Sequence, residues 1–491
     1  MSQRSLSSLD AAFWFLEGPG SPMQVGMGVV LDAPEGRRAL FSPATRFEQI
    51  RSVFASRLHL VAPMRQRLVT PLLGMGATVF ADDPDFDLDD HLHRLGLPDP
   101  GGHAELEELF AEFMAEPLNP DKPLWEMAVV EGLAHDRTAV FVKLHHSIID
   151  GISGAGAMAN FFDLTPRERE VEAPGEPFEP DDLPGPTDLA FQGAAGLLRH
   201  LATGLGALTR TIEHAAEVAE AVVAPGGLGA QLPILPFSAP RSPVSGHTSS
   251  MRRYRSVEFD LARLKEAARR YDATVTEVTS AMVGGALRRW MEEHGGVPEH
   301  DLTALVPITV DALRGSNELG NYISAMFVNL GVNVADPVER IAVVKESARR
   351  GKEGDAAFGG HLMTDIAEAA GPLLSTGIAR LAYGARLFDV APAVANVVVS
   401  SVPGPDFPLY MAGSRVAELM PAGPLQGGTG INVTLFSHEG RLAFGLLACK
   451  RLVPDLELVR SGLVEVAAEL DLGAPLVHRV DADLEAGSLE G

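Results

Sequence analysis

The stretch that most limits how this chain can fold is residues 138–151, where the apolar run TAVFVKL leads straight into HHSIIDG. The run is rich in β-branched and aromatic residues and carries one charge, the pattern of a mostly buried strand. Successive side chains on an extended segment point to opposite faces, so His145 and His146 cannot share one job: one faces a cavity and the other faces protein. Asp150 and Gly151 then turn the chain sharply, and glycine suits a tight turn or a close backbone approach. Histidine, with an unperturbed pKa of about 6.5, accepts and returns a proton near neutral pH. A histidine held at a strand end is therefore a candidate general base. A lone histidine is more often a hydrogen-bonded structural residue, and it is the whole HHxxxDG pattern that shifts the weight towards chemistry.

At 491 residues the chain can bury more than one core, and length alone suggests roughly two to four domains. Hydrophobic residues make up 46% and aromatic ones 6%, the balance of an ordinary soluble globular protein. Forty Lys and Arg against 65 Asp and Glu leave a formal charge of -25. Such a charge repels nucleic-acid phosphates and anionic headgroups alike, so no nucleic-acid partner is expected and any membrane contact must be mainly apolar. The single Cys449 excludes an internal disulfide framework or a thiolate metal cluster. It sits in the strand-like LAFGLLACK and reads as buried packing. No metal site is expected. The N-terminus shows no apolar core ahead of a small-residue cleavage site, so no signal peptide is expected. Residues 221–240 are broken by Pro and Gly and make a poor membrane span.

Along the chain, Asp10, Phe13, Trp14 and Phe15 open an apolar, aromatic segment, followed by a strand expected over 23–31 and helix signals over 47–60. Residues 103–117 give an amphipathic helix, because Leu106, Leu109, Phe110, Phe113 and Met114 share one stripe and Pro117 ends it. Trp125 stands just ahead of another strand. A small-residue helix is expected over 153–162, with its amides adding positive potential beside the histidines. An acidic, Pro-rich linker follows at 166–186, then a helical stretch at 187–223 that covers a core, packs on a second domain or lies at a membrane surface. A second α/β segment begins near Arg252, with strands at 256–259, 302–310, 324–334, 395–402 and 431–436. Helices are expected at 261–271, 337–350 and 363–388, and Thr274 with Glu277 has capping-box spacing.

HHSIIDG, together with PLW at Pro123, Leu124 and Trp125, LGNYISAM at 319–326, NVVVSSVPGP at 396–405 and PLYMAG at 408–413, resembles the bacterial wax ester synthase/diacylglycerol acyltransferase family. The likeness runs from LSSLDAAFWF to GLLACKRLVPD, nearly the whole chain. HHxxxDG alone points only to the wider CoA-dependent acyltransferase superfamily; the other blocks narrow it to the lipid-forming branch. The resemblance implies an α/β (α+β) fold of two chloramphenicol-acetyltransferase-like domains with an active-site tunnel between them. The corresponding division of the sequence is 1–180, a linker at 181–250, 251–475, and an acidic tail at 476–491.

The same resemblance implies that His146 is the general base for an acceptor alcohol, whose oxygen attacks the thioester carbonyl of a fatty acyl-CoA. Direct transfer needs no covalent intermediate, so Ser147 and Ser153 read as turn and helix-start residues rather than nucleophiles. Asp150 would pair with an arginine that braces the loop; a carboxylate contacting His146, as in serine hydrolases, is the competing reading. Oxyanion donors are sought at Asn396, Ser400, Asn432 and Thr434, which strand packing explains about as well. Relatives commonly carry Asn-Asp where this chain has Thr276 and Glu277, arginine where it has Asp311, and asparagine where it has Ser401. If the missing arginine is the brace, Arg314 or Arg65 must substitute.

The expected function is O-acyl transfer from acyl-CoA, as co-substrate and with no tightly bound cofactor, to diacylglycerol, a fatty alcohol or both. The same fold acting on a different small acceptor, and a catalytically impaired lipid- or acyl-CoA-binding protein, are the alternatives. The expected location is cytoplasmic, peripheral to the inner membrane or lipid droplets.

Overall fold

The computed structural model describes residues 6–18, 20–33, 43–70, 78–148, 156, 158–175, 178–180, 183–185, 187–188, 191, 238–309, 323–357, 384–390 and 392–476. The helices expected at 187–223 and 363–388 lie largely outside these residues, as do Asp150, Gly151, Ser153, Asp311, Arg314 and the tail beyond Leu476; the end of the helix expected at 153–162 is described, and it closes in a 3-10 turn at Ala159–Phe161.

In chain order the first half contains α1 (Ser8–Leu16), β1 (Gln24–Leu31), α2 (Pro43–Arg57), β2 (Gln66–Val69), β3 (Val79–Asp82), β4 (Leu92–Gly96), α3 (His103–Ala115), β5 (Trp125–Glu131) and β6 (Thr138–His145). The second half contains β7 (Arg252–Asp260), α4 (Leu261–Arg270), α5 (Val275–Glu293), β8 (Thr303–Thr309), β9 (Ile323–Asn329), α6 (Pro337–Ala357), β10 (Val397–Val402), β11 (Tyr410–Met411), β12 (Ser414–Ala422), β13 (Ile431–His438), β14 (Arg441–Cys449) and α7 (Leu456–Glu469).

Local rules account for much of this. The stripe of α3 buries Leu106, Phe110, Phe113 and Met114 against Val30, Phe141 and Tyr254, and the Glu105 carboxylate accepts from the Gly102 N–H at its start, 3.0 Å away. The Thr274 hydroxyl accepts from the Glu277 N–H at 3.2 Å while the Glu277 carboxylate accepts from the Thr274 N–H at 2.8 Å, the capping box that its spacing predicts. The strand expected over 324–334 stops at Asn329. The Asp301 carboxylate captures the N–H groups of Gly331 and Val332, both at 2.8 Å, and pulls the chain out of the sheet.

The described strands form two six-stranded mixed sheets, ordered β11-β12-β1-β6-β5-β4 and β7-β14-β13-β10-β8-β9, beside a β2-β3 pair. The first sheet is thus completed by residues from late in the chain: β12 pairs with β1 from Gly26↔Ala422 to Leu31↔Val416. From there it packs on the second sheet so closely that a Cβ on Gly445 would stand 1.7 Å from the Pro421 carbonyl oxygen. In the second sheet the core side of β13 carries Ile431, Val433 and Leu435. The other side, Asn432, Thr434 and Phe436, is turned towards the first half, where Phe436 joins the core around Trp125.

A buried polar knot also joins the halves. His103 on α3 lies 3.3 Å from Glu107 and 3.5 Å from Glu418 on β12, and its Nε2 is 2.9 Å from the Ser256 hydroxyl on β7. The Glu107 carboxylate accepts from the Ser256 N–H at 2.6 Å.

Candidate active site

Every residue of β6 is buried, and its end is fixed from both sides. The His145 N–H donates to the Leu124 carbonyl at 3.0 Å, and the next one, His146 N–H, donates the opposite way to Met23 at 2.7 Å. This gives Pro123, Leu124 and Trp125 a concrete task. Trp125 is fully buried, donates its Nε1–H to the Met64 carbonyl at 2.7 Å and stacks on His91 at 4.6 Å. The His91 Nδ1 lies 2.8 Å from the Trp125 carbonyl. Burial pulls the His91 pKa down, with that carbonyl opposing. The anchored tryptophan holds the Leu124 carbonyl where the first histidine needs it.

The two imidazoles then part, as alternation requires. His145 is buried, and its Nδ1 accepts from the Ser147 N–H at 3.1 Å, with the Ser147 hydroxyl 2.6 Å away. An accepting Nδ1 leaves the ring proton on Nε2, which lies 3.3 Å from the Glu17 carboxylate. Trp14 meets the same ring edge-on at 5.5 Å. His145 is therefore committed to protein contacts. His146 is half-buried and stacks on Phe13, centroids 4.1 Å apart and planes 22° apart.

Helix α1 is what the sequence reading of the site missed. Its aromatic residues were visible as a cluster ahead of β1, but nothing local tells that Phe13, Trp14 and Glu17 fold back onto the histidine pair. The helix is started by the Ser7 hydroxyl, which accepts from the Asp10 N–H at 3.1 Å.

A second group, behind β6, also has no local signal in the sequence. Lys143 is fully buried, donating to the carbonyls of Phe113 at 3.0 Å and Glu116 at 2.8 Å, with the Glu126 carboxylate 3.0 Å away. Burial lowers its pKa and Glu126 opposes that. Gln24, directly across the ladder from His145, donates to Met114 at 2.8 Å and Glu116 at 2.9 Å. Strands β1 and β6 thus jointly satisfy the carbonyl end of α3.

Asp150 and Gly151 lie outside the described residues. The described arginine offered as a brace, Arg65, sits over the Phe178 ring at 4.1 Å, its pKa lowered by burial. A different brace is present nearby in the chain. Asp163, which exchanges backbone hydrogen bonds with Tyr410 of β11 at 2.8 and 2.9 Å, accepts from the buried Arg57 guanidinium, both oxygens at 2.9 Å. Two residues earlier, Phe161 stacks on Phe54 of the same helix at 4.2 Å.

Of the oxyanion candidates, Asn396 is buried with both ends of its amide engaged: Oδ1 accepts from the Thr303 N–H at 2.9 Å, and Nδ2 donates to Pro240 at 2.8 Å and Ser245 at 2.9 Å. Asn432 and Thr434 are buried on the inter-half side of β13, where the Thr434 hydroxyl donates to Asn432 Oδ1 at 2.8 Å and Asn432 Nδ2 donates to the Pro424 carbonyl at 2.9 Å. Ser400 lies beside Thr434 in the parallel ladder and is half-buried. The next carbonyl after Pro424, that of Leu425, accepts from the Ser21 hydroxyl, which links this pair to the α1–β1 loop under the histidines. Cys449 is buried at the end of β14. Burial raises its thiol, but donors from Ser249, Leu452 and Arg451 outweigh that and leave it below its ordinary pKa. Among the described residues no group of His, Cys, Asp and Glu is arranged to hold a metal ion, and no helix is long and apolar enough to cross a membrane.

Residues 6–279 match the family described as the wax ester synthase/diacylglycerol acyltransferase catalytic domain, and residues 319–471 match the WS/DGAT C-terminal domain. A protein of Mycobacterium tuberculosis (strain ATCC 25618 / H37Rv) named "Putative diacyglycerol O-acyltransferase" is 32% identical over 440 residues, 89% of this chain and 90% of that one. Among solved structures, the wax ester synthase/diacylglycerol acyltransferase from Marinobacter aquaeolei VT8 superposes with a TM-score of 0.66 at 25% identity, covering 96% of this chain and 99% of that one. The trichothecene 15-O-acetyltransferase of Fusarium sporotrichioides shares the fold, with a TM-score of 0.57 at 12% identity and 95% of both chains covered.

Proposed function

Because the chain belongs to the wax ester synthase/diacylglycerol acyltransferase family, we propose that it transfers a long-chain acyl group from acyl-CoA to the hydroxyl of diacylglycerol, a fatty alcohol or both, with His146 as the general base. The observation that carries this reading is the division of labour at the strand end. His145 is tied to Ser147 and Glu17, whereas His146, its neighbour, is presented half-buried against an aromatic ring.

The neutral His146 ring takes the proton of the acceptor hydroxyl as its oxygen forms a bond to the thioester carbonyl carbon. The carbonyl π pair moves to oxygen. On collapse, the carbon–sulfur bond breaks, the ester is released, and the imidazolium returns its proton to the coenzyme A thiolate. Asp150 and Gly151 complete the motif, Asp150 in an orienting role; Ser400 and the second amide proton of Asn432 are the donors we assign to the oxyanion, while Thr434 and Asn396, whose protons are engaged, hold the strands that carry them. No tightly bound cofactor enters the scheme. Contact with the membrane or droplet that supplies the acceptor is peripheral and cytoplasmic in this reading.

The test is release of free thiol from a long-chain acyl-CoA, run against a panel of diacylglycerols, fatty alcohols and smaller acceptors. Replacing His146 by alanine should reduce turnover by about 100-fold or more; ester formation at the wild-type rate in that variant overturns the assignment. Activity confined to a small non-lipid acceptor would move the substrate class and keep the chemistry.

A further inference from the structure

We propose that Phe13 is a positioning residue for this reaction, acting through His146 by stabilising its ring in the protonated form. The inference rests on the general-base reading above and adds to it a second residue, from the other end of the fold's first half.

The geometry is a face-to-face stack, centroids 4.1 Å apart and planes 22° apart. A cation within about 6 Å of an aromatic face is attracted by the ring quadrupole, while a neutral ring in the same place gains only contact and exclusion of water. The Phe13 face therefore distinguishes the two protonation states of His146 and favours the one that forms as the hydroxyl proton is transferred. The backbone that carries each ring is held in place. The His146 backbone is bonded to Met23. Phe13 sits inside a helix whose start is capped by Ser7 and Asp10, and the indole N–H of the adjacent Trp14 reaches the Thr70 hydroxyl at 3.3 Å.

The titratable groups on the elements packed here are few among the described residues. On α1, the Asp10 carboxylate is turned to the helix start, where it accepts from the Ser7 N–H, and Glu17, just beyond the helix, faces His145 at 3.3 Å. On β6 the neighbour is His145 itself, and the residue just ahead of β1 offers the Met23 carbonyl. The Phe13 face is a contact that favours charged over neutral His146.

The experiment is the pH dependence of kcat and kcat/KM for the full-length enzyme with a long-chain acyl-CoA and a lipid alcohol, comparing wild type, Phe13→Leu and Phe13→Trp. The base must be unprotonated to work, so its titration sets the acid limb. Leucine keeps the apolar bulk and removes the quadrupole. It should move the limb to lower pH by about half a unit and reduce plateau kcat by about two- to fivefold, with KM for acyl-CoA little changed; tryptophan should move the limb the other way. The position of the limb does not depend on how much of a variant is folded, so loss of protein cannot imitate the effect. Limbs that coincide in all three proteins overturn the proposal and leave the general-base reading in place. A His146→Ala enzyme with full turnover overturns that reading and this proposal together.

Discussion

Single residues behind the site carry consequences out of proportion to their visibility in the sequence. Arg57 and Asp163 are both about 2% exposed; an ion pair so deep is costly to break on one side because the remaining charge has no water to turn to. Arg57→Met should therefore destabilise the protein by about 3–5 kcal/mol, while Arg57→Met combined with Asp163→Leu should recover most of that loss, as read by urea unfolding. Trp125→Phe keeps the stack on His91 but orphans the Met64 carbonyl, at a cost of about 1–3 kcal/mol in the same assay. Gly423 is a third such position. A Cβ there would come within 2.6 Å of Asn432 Nδ2 and 2.9 Å of the Thr434 hydroxyl, so Gly423→Ala should lower kcat in the thiol-release assay if this pair serves the oxyanion. Gly26→Ala would press instead on the Met114 thioether, a flexible side-chain end, and is the control.

Elements follow local rules where local rules are strong. Residues 138–145 are the buried strand that their composition demands, and α3 has the apolar stripe that its spacing predicts. Removing the cap of α5 with Thr274→Ala should cost about 1 kcal/mol, seen as a lower urea midpoint. The capping box also explains how Glu277 is spent: its carboxylate binds the Thr274 N–H, with Lys352 4.0 Å away. Elements with weak local signals went unread. Residues 414–422 carry no strand pattern of their own, although β12 lies between β11 and β1 in the first sheet. Its residues, SRVAELMPA, lack strict alternation because eight of the nine are buried, and a strand covered on both faces has no polar side to announce it.

At the scale of the molecule, the two sheets are joined by β12 and by the knot around His103. Burial pushes the Glu107 carboxyl up, but His103 beside it, with Arg460 and Arg255 beyond, outweighs burial and holds the group below its ordinary value of 4.5. A carboxylate depressed in the folded state contributes stability above its unfolded pKa, and loses it as pH falls through the folded value. The wild type should therefore lose thermal stability as pH drops below about 4.5. Glu107→Gln should be less stable at neutral pH and show a shallower acid decline, measured as Tm against pH.

What the sequence by itself determined was everything governed by near neighbours and pattern. The buried strand, the divergence of His145 from His146, the stripe of α3, the cap of α5 and, through the quoted blocks, the family are all of this kind, because alternation, helical period and capping act over a few residues. Tertiary structure alone decided which distant groups meet: Phe13 on His146, Glu17 on His145, Leu124 under the strand end, Arg57 on Asp163, and a strand from residues 414–422 in the first sheet. Each of these joins segments whose separate sequences satisfy many partners equally well, and only the closing of a common core selects one.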